Sequence, residues 1–199
     1  MNRIHRWYCQ SDGWKRKVEN EILPWALNGV DLGSEILELG PGPGLTTDWL
    51  HLRYPAITCL EVEPTLAHSL SQRIASPNVK VQVGDATAMP FPKARFSAVL
   101  AFTMLHHVPS AGLQNRLFAE AYRVLRPGGV FLGVDSLWSL RMLVFHLNDT
   151  LVTVDPSQLR ARLEAANFKH VDIETRGARF RFCARRTAEL ASQSSPRLD

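Results

Sequence analysis

Apolar positions along this chain fall into two rhythms. Near-continuous apolar runs at 35–39, 56–62, 96–102 and 130–134, with an alternating run at 79–83, have the length and character of strands covered on both faces. Helices are expected between them, at about 45–53, 65–75 and 111–125. The breaks fall at Tyr54-Pro55, at Ser76-Pro77-Asn78 and at Arg126-Pro127-Gly128-Gly129. Ahead of the first strand, Val18, Ile22, Trp25 and Leu27 form a rough helical stripe that Pro24 should bend and Asn28-Gly29 should end. After the fifth strand comes a mostly apolar, amphipathic stretch, Leu137 to Asn148. Asp155-Pro156 then starts a helix, Asp as cap and Pro in the first turn. Residues 171–174 and 178–184 alternate as strands, joined by a turn at Gly177.

Strand and helix in repeated alternation predict an α/β fold: a Rossmann-like, doubly wound sheet, mostly parallel, with helices on both faces. The last two strands lie too close in sequence for a crossover and must pair antiparallel. Seven strands are expected in all, with the last one antiparallel. No linker interrupts the pattern, so residues 1–191 read as a single domain with a helical cap at 1–30. Residues 192–199, polar and terminal, read as a disordered tail.

Composition narrows the class. With 199 residues, 45% of them hydrophobic, there is material for one sizeable core. No apolar run is long enough for a membrane span, and the N-terminal residues hold no signal-like apolar segment. Cys9, Cys59 and Cys183 are isolated and form no CxxC pair, which fits a reducing cytoplasm. The net charge of +4 reflects late arginines at 176, 179, 181, 185 and 186. Phe180 and Phe182 alternate with two of them, as in a half-buried strand. The absence of any appended basic module argues against a nucleic-acid partner.

The stretch Ser34 to Thr47, SEILELGPGPGLTT, carries the first chemical signal: a strand, then Gly40, Gly42 and Gly44 at alternate positions, then a helix start. Glycine lets backbone turn sharply and approach a ligand closely. A second signal is Glu63, 21 positions beyond Gly42 and near the end of the second strand, where a carboxylate can take both hydroxyls of a ribose. Asp85, after the third strand, suits an exocyclic amine. No GK[ST] follows the glycines, so no lysine awaits a phosphate.

E-L-G-P-G-P-G, V-E-P at 62–64, V-G-D-A at 83–86, F-S-A-V at 96–99 with its trailing L-H-H-V-P, and R-V-L-R-P-G-G at 123–129 together resemble the class I methyltransferases that use S-adenosylmethionine, of the small type-11 kind. The resemblance covers about Ser34 to Val134. Ser97 departs from the family's usual Asp, a position with a structural role. The resemblance implies S-adenosylmethionine as cofactor and assigns Gly40 and Gly42, with Pro41 and Gly44 in the same loop, to its methionine part. It assigns Glu63 to the ribose, Asp85 and Ala86 to the adenine, and Ala101 and Phe102 to the surroundings of the sulfonium. Glu38 would lie near the cofactor or cap the backbone N–H groups of the loop. The family places substrate-binding insertions where residues 137–154 fall.

The acceptor implied is a small, partly apolar molecule. Methyl transfer from a sulfonium needs an aligned nucleophile and, where a proton must leave, a base. Candidate bases are His106 and His107, which could equally be wall residues, and His146, in a segment that is either a packed helix or an apolar lid facing the acceptor with His146 or Asp149. Trp7, Tyr8 and Trp14 would be core residues or the other side of that lid. No metal site is expected, because adjacent histidines should diverge and no HExxH exists. Two alternatives stand beside transfer: an NAD-type oxidoreductase on a related fold, and a non-catalytic S-adenosylmethionine-binding protein.

Overall fold

The computed structural model describes residues 11–188. Trp7, Tyr8, Cys9 and the tail at 192–199 lie outside the described residues. The N-terminal helical segment comprises α1 (Asp12–Lys17), a π-helical turn (Val18–Ile22) and α2 (Leu23–Leu27). Then follow β1 (Glu35–Leu39), α3 (Leu45–Leu50), β2 (Ala56–Glu61), α4 (Pro64–Arg73), β3 (Val79–Val83) and β4 (Phe96–Phe102). After a 3₁₀ turn (Leu105–His107) come α5 (Ala111–Val124), β5 (Leu125–Ser136), α6 (Leu140–Phe145), α7 (Pro156–Ala165), β6 (Lys169–Arg176) and β7 (Arg179–Arg185).

The sheet has seven strands in the order β3-β2-β1-β4-β5-β7-β6. The pairs among β1 to β5 are parallel, and β7 is antiparallel to both β5 and β6. The expected class and the antiparallel last strand are thus present. β7 enters between β5 and β6, so β6 takes the edge. The order reverses between β1 and β4, and the carboxyl ends of strands at such a switch are where open α/β sheets place ligands.

Each central strand divides its side chains between two cores. Leu37, Leu39, Val99, Ala101 and Phe131 pack with α5 and α7 residues such as Phe118 and Leu159. Ile36, Ala98, Leu100, Val130 and Leu132 pack with Trp14, Ile22, Leu50 and Leu70 on the other side. Period-two alternation in strands covered by helices on both faces produces this division, and it explains why β4 reads as continuously apolar. Phe180 and Phe182 are fully buried. Arg181 binds Asp172 and Glu174 and donates to the carbonyls of Trp25 and Ala26. Arg186 donates to the carbonyls of Tyr122, Arg123 and Leu125. These arginines tie strands to helices.

Three expectations change. The fifth strand begins at Leu125, and Arg126 to Gly129 belong to it, because Leu125 pairs with Phe96 across a bulge before regular pairing resumes at Ala98–Val130. The N-terminal segment carries its irregularity as a π-turn just before Pro24. Within 137–148 only six residues are helical and none of them is buried. Trp138, Leu140, Leu143, Val144 and Leu147 are exposed, so these five side chains do not pack on the sheet, whereas Leu137 does and His146 is buried. Ser97 Oγ accepts from Glu35 N–H and donates to Glu35 C=O, a structural bridge. No helix among the described residues is long and apolar enough to cross a membrane.

Candidate functional site at the carboxyl edge of the sheet

A cleft of about 1320 Å³ lies along the carboxyl ends of β1 to β5. Its floor follows from strand polarity: every parallel strand delivers the loop that follows it to this edge. β1 delivers the glycine loop. Gly42 has φ of 53° and lines the cleft, and a Cβ there would meet nothing within 4 Å. The backbone is thus bare toward the space a ligand would fill. Gly40 and Pro41 line the cleft as well. Gly44 does not. It is the N-cap of α3 at φ 87°, and a Cβ would lie 2.2 Å from Leu70 Cδ1 and 2.6 Å from Arg73 Nη2. Its absent side chain admits α4, not a ligand. Arg73 secures the same corner by donating to Pro43 C=O and pairing with Asp48.

Glu38 points from β1 toward α3, where its carboxyl accepts from Thr47 Oγ1 at 2.7 Å. Burial pushes its pKa up to about 7, against the lowering effect of the hydrogen bonds from Thr47 and Cys59. It lines the cleft, and the capping role considered for it belongs instead to Glu61. Glu61 ends β2, is 5% exposed, and accepts the N–H of Gly42 on Oε2 and of Glu63 on Oε1, each at 3.0 Å. Sequence reasoning missed Glu61 because Glu63 stands two positions on in the same acidic run. The available signal was the strand boundary: Pro64 starts a helix, so 63 is its cap and 61 is the last residue of the strand proper. Glu63 also lines the cleft, with Oε1 accepting from Thr65 Oγ1. Asp85, Ala86 and Phe102 line it too, and Asp85 Oδ1 accepts the N–H of Thr87.

Ala101 does not line the cleft. Its side chain lies on the α5/α7 face of β4, and Phe102, one residue on, faces the other way. Thr103 and Met104, beyond the strand end, take up the wall position expected of Ala101. Thr103 holds φ of 52° and its N–H donates to Val134 C=O.

The remaining walls come from α1–α2 and from 137–150. Trp14, Ile22, Trp25, Met142 and Phe145 supply apolar lining. Here too are the three histidines, and they are together. His106 and His107 have ring centroids 4.3 Å apart, and His146 lies 5.0 Å from the first and 5.1 Å from the second. Divergence of adjacent histidines therefore does not hold. The third ring arrives from a segment anchored by the N–H of Val152 on His106 C=O, while buried Gln114 donates to the carbonyls of Leu105 and Val152. His106 Nδ1 sits 2.5 Å from Asp135 Oδ1, and the His106 N–H donates to Asp135 Oδ2. Asp135, fully buried near the end of β5, went unnoticed in the sequence, although an acid closing an apolar run was a signal. Burial alone would raise its pKa, but the His106 charge, the ring hydrogen bond and the N–H groups of Ser136 and His106 together hold it below the ordinary carboxylate range. His146 Nδ1 is 2.7 Å from Met142 C=O, and burial keeps its imidazole below the usual histidine pKa.

Residues 37–133 match the type-11 methyltransferase-domain family. The chain is 34% identical over 125 residues to a probable S-adenosylmethionine-dependent methyltransferase of Mycolicibacterium smegmatis, covering 62% of this chain and 46% of that protein. It is 28% identical over 138 residues to the ubiquinone/menaquinone biosynthesis C-methyltransferase of Desulfotalea psychrophila, covering 68% of this chain and 52% of that one. The chain thus spans about half the length of these curated relatives. Among solved structures it resembles phosphoethanolamine N-methyltransferase 2 of Haemonchus contortus in complex with S-adenosyl-L-methionine, with a TM-score of 0.75, 14% identity, and coverage of 92% of this chain and 56% of that one.

Proposed function

We propose that this chain, whose residues 37–133 belong to the class I S-adenosylmethionine-dependent methyltransferase domains, transfers the donor's methyl group to a small, partly apolar acceptor. The observation that carries this reading is that two unlike linings share one cleft: a bare glycine loop with carboxylates at successive strand ends, and aromatic and aliphatic side chains from α1–α2 and residues 137–150. At about 1320 Å³ the cleft exceeds the roughly 300–1,000 Å³ of ordinary small-molecule sites, so two molecules fit side by side.

The residues present fit the donor. Gly40, Pro41 and Gly42 would pass its methionine part over bare backbone, with Glu38 beneath. The ribose hydroxyls would go to the carboxylates ending β2. Glu61 is the better placed of the two, since it already touches the N–H of Gly42; Glu63 stands beside it. Asp85 and Ala86 would take the adenine, and Phe102, Thr103 and Met104 would border the sulfonium. When bound, the donor supplies a methyl on positively charged sulfur: the acceptor's lone pair forms the new bond to carbon as the C–S bond breaks, and neutral S-adenosylhomocysteine leaves. No acid is needed. The protein's share is alignment and exclusion of water, which can supply about 7–11 kcal/mol of the barrier. Exposed apolar residues of 138–147 supply the cover. An acceptor hydroxyl would lose its proton toward the histidine wall.

A hydroquinone is the first acceptor to test, given the apolar wall and the relative that acts in quinone biosynthesis. The test incubates the protein with methyl-labelled S-adenosylmethionine and a panel of hydroquinones, phenols and amines. Label in an acceptor with equal S-adenosylhomocysteine release is the expected result. Donor binding without turnover across the panel would favour a non-catalytic binding protein, and binding of NAD in place of the donor would favour the oxidoreductase.

A further inference from the structure

Accepting one proton would take a single imidazole, and here three are clustered. One ring nitrogen from each of His106, His107 and His146 lies within 4.8 Å of the others, on the wall of the cleft. A tetrahedral site with metal–nitrogen distances of about 2.1 Å needs neighbouring nitrogens about 3.4 Å apart, a gap that side-chain rotation can close. The outer contacts already have the form that metal-binding imidazoles adopt. His106 turns Nδ1 to the Asp135 carboxylate and His146 turns Nδ1 to the Met142 carbonyl. A donated Nδ1–H fixes each ring as the tautomer whose Nε2 carries the ligating lone pair. Asp135 is itself held by the N–H groups of His106 and Ser136, so the orienting carboxylate cannot swing away.

We propose that His106, His107 and His146 form a three-imidazole site for a divalent transition-metal ion of the zinc or cobalt kind, with its fourth position open to the cleft. Three protein ligands and an open position is the pattern of catalytic rather than structural metal sites. Imidazole donors select this class over magnesium or calcium, which prefer oxygen. Within the methyl-transfer reading, on which only the role of the ion rests, the open position would take an acceptor oxygen, lower its pKa and orient its lone pair toward the methyl. The proton of that oxygen would pass to water as the oxygen binds the ion, so the reaction needs no histidine base and all three rings serve as ligands.

The experiment is a titration of tag-free, metal-stripped protein with Co²⁺ alone, followed by visible absorption, with no donor or acceptor present. The expected result is one equivalent of Co²⁺ with intense tetrahedral ligand-field bands. Zn²⁺ should displace it and Mg²⁺ should not. His107→Ala, at the least buried of the three, should weaken Co²⁺ more than roughly 100-fold, and Asp135→Asn roughly 10–100-fold through His106. Circular dichroism and calorimetric binding of S-adenosylmethionine show whether each variant is folded. No tetrahedral Co²⁺ spectrum in the wild type, or the same affinity in His107→Ala and His146→Ala, would overturn the site. Metal binding and donor binding are read separately, so the failure of either one leaves the other standing.

Discussion

Glu38 is a carboxyl whose environment decides its charge near neutrality. The folded protein holds its proton up to about pH 7, whereas an ordinary carboxyl releases it near 4.5. The folded state therefore binds more protons between these values, and the linkage makes stability fall as pH rises through that window. The contribution is complete below about 4.5 and lost above about 7, a difference of roughly 3 kcal/mol. Urea unfolding at about pH 4 and about pH 8 should show wild type losing that much relative to Glu38→Gln; parallel curves would refute the raised pKa. Asp85 makes a different prediction, since the role proposed for it lies with the donor. Asp85→Ala should weaken S-adenosylmethionine binding by roughly 1–3 kcal/mol by calorimetry, and unchanged affinity in a folded variant would sink the adenine assignment. Glu61 and Glu63 separate in the same assay. Glu61→Gln should lower both donor affinity and melting temperature, because two backbone N–H groups depend on that carboxylate. Glu63→Gln should leave the melting temperature in place.

At the scale of elements, the glycine loop does two jobs that a single motif conceals. Gly44→Ala puts a methyl into Leu70 at positive φ and should destabilise the protein by at least roughly 2 kcal/mol in chemical denaturation, through the joint between α3 and α4. Gly42→Ala meets open space, so it should cost only the backbone strain, roughly 1–2 kcal/mol, while cutting donor affinity far more than Gly44→Ala does at equal folded fraction. A reversed pattern would show that the loop binds through α3 and not through Gly42. α6 behaves in the opposite way. Its Leu143 and Val144 are exposed, so Leu143→Asp and Val144→Asp should change stability by no more than about 0.5 kcal/mol while raising the KM of an apolar acceptor. A large loss of stability would mean that this face is packed.

For the whole molecule, the proposed donor site draws on loops after four different strands, so filling it would couple to the global unfolding equilibrium. S-adenosylmethionine at about one hundred times its Kd should add about 2.7 kcal/mol. For a chain of this size that raises the melting temperature by roughly 5–10 °C. NAD at the same concentration should not. The seven-stranded class was readable because period-two apolar runs separated by helices leave few topologies, and the cofactor was readable from the resemblance carried by the motifs at successive strand ends. The length of β5 was not readable: Pro127 and the glycines look like a break, and only pairing of Leu125 with Phe96 keeps them in the strand. Ala101 and Phe102 were indistinguishable as neighbours until the strand's two faces were known.

What the sequence determined by itself was local in origin: where strands and helices lie, which loop is bare enough for a ligand, and which acids stand near strand ends. Each depends on residues within a few positions of one another. The tertiary structure decided everything that needed parts of the chain far apart to meet. It chose Glu61 as the partner of Gly42, gave Gly44 to Leu70, and buried Asp135 against His106. It also brought His146 across forty positions to the histidine pair, because β4, β5 and the segment after β5 converge at one edge of the sheet. Spacing in sequence carries no record of such meetings; the packing of the sheet creates them.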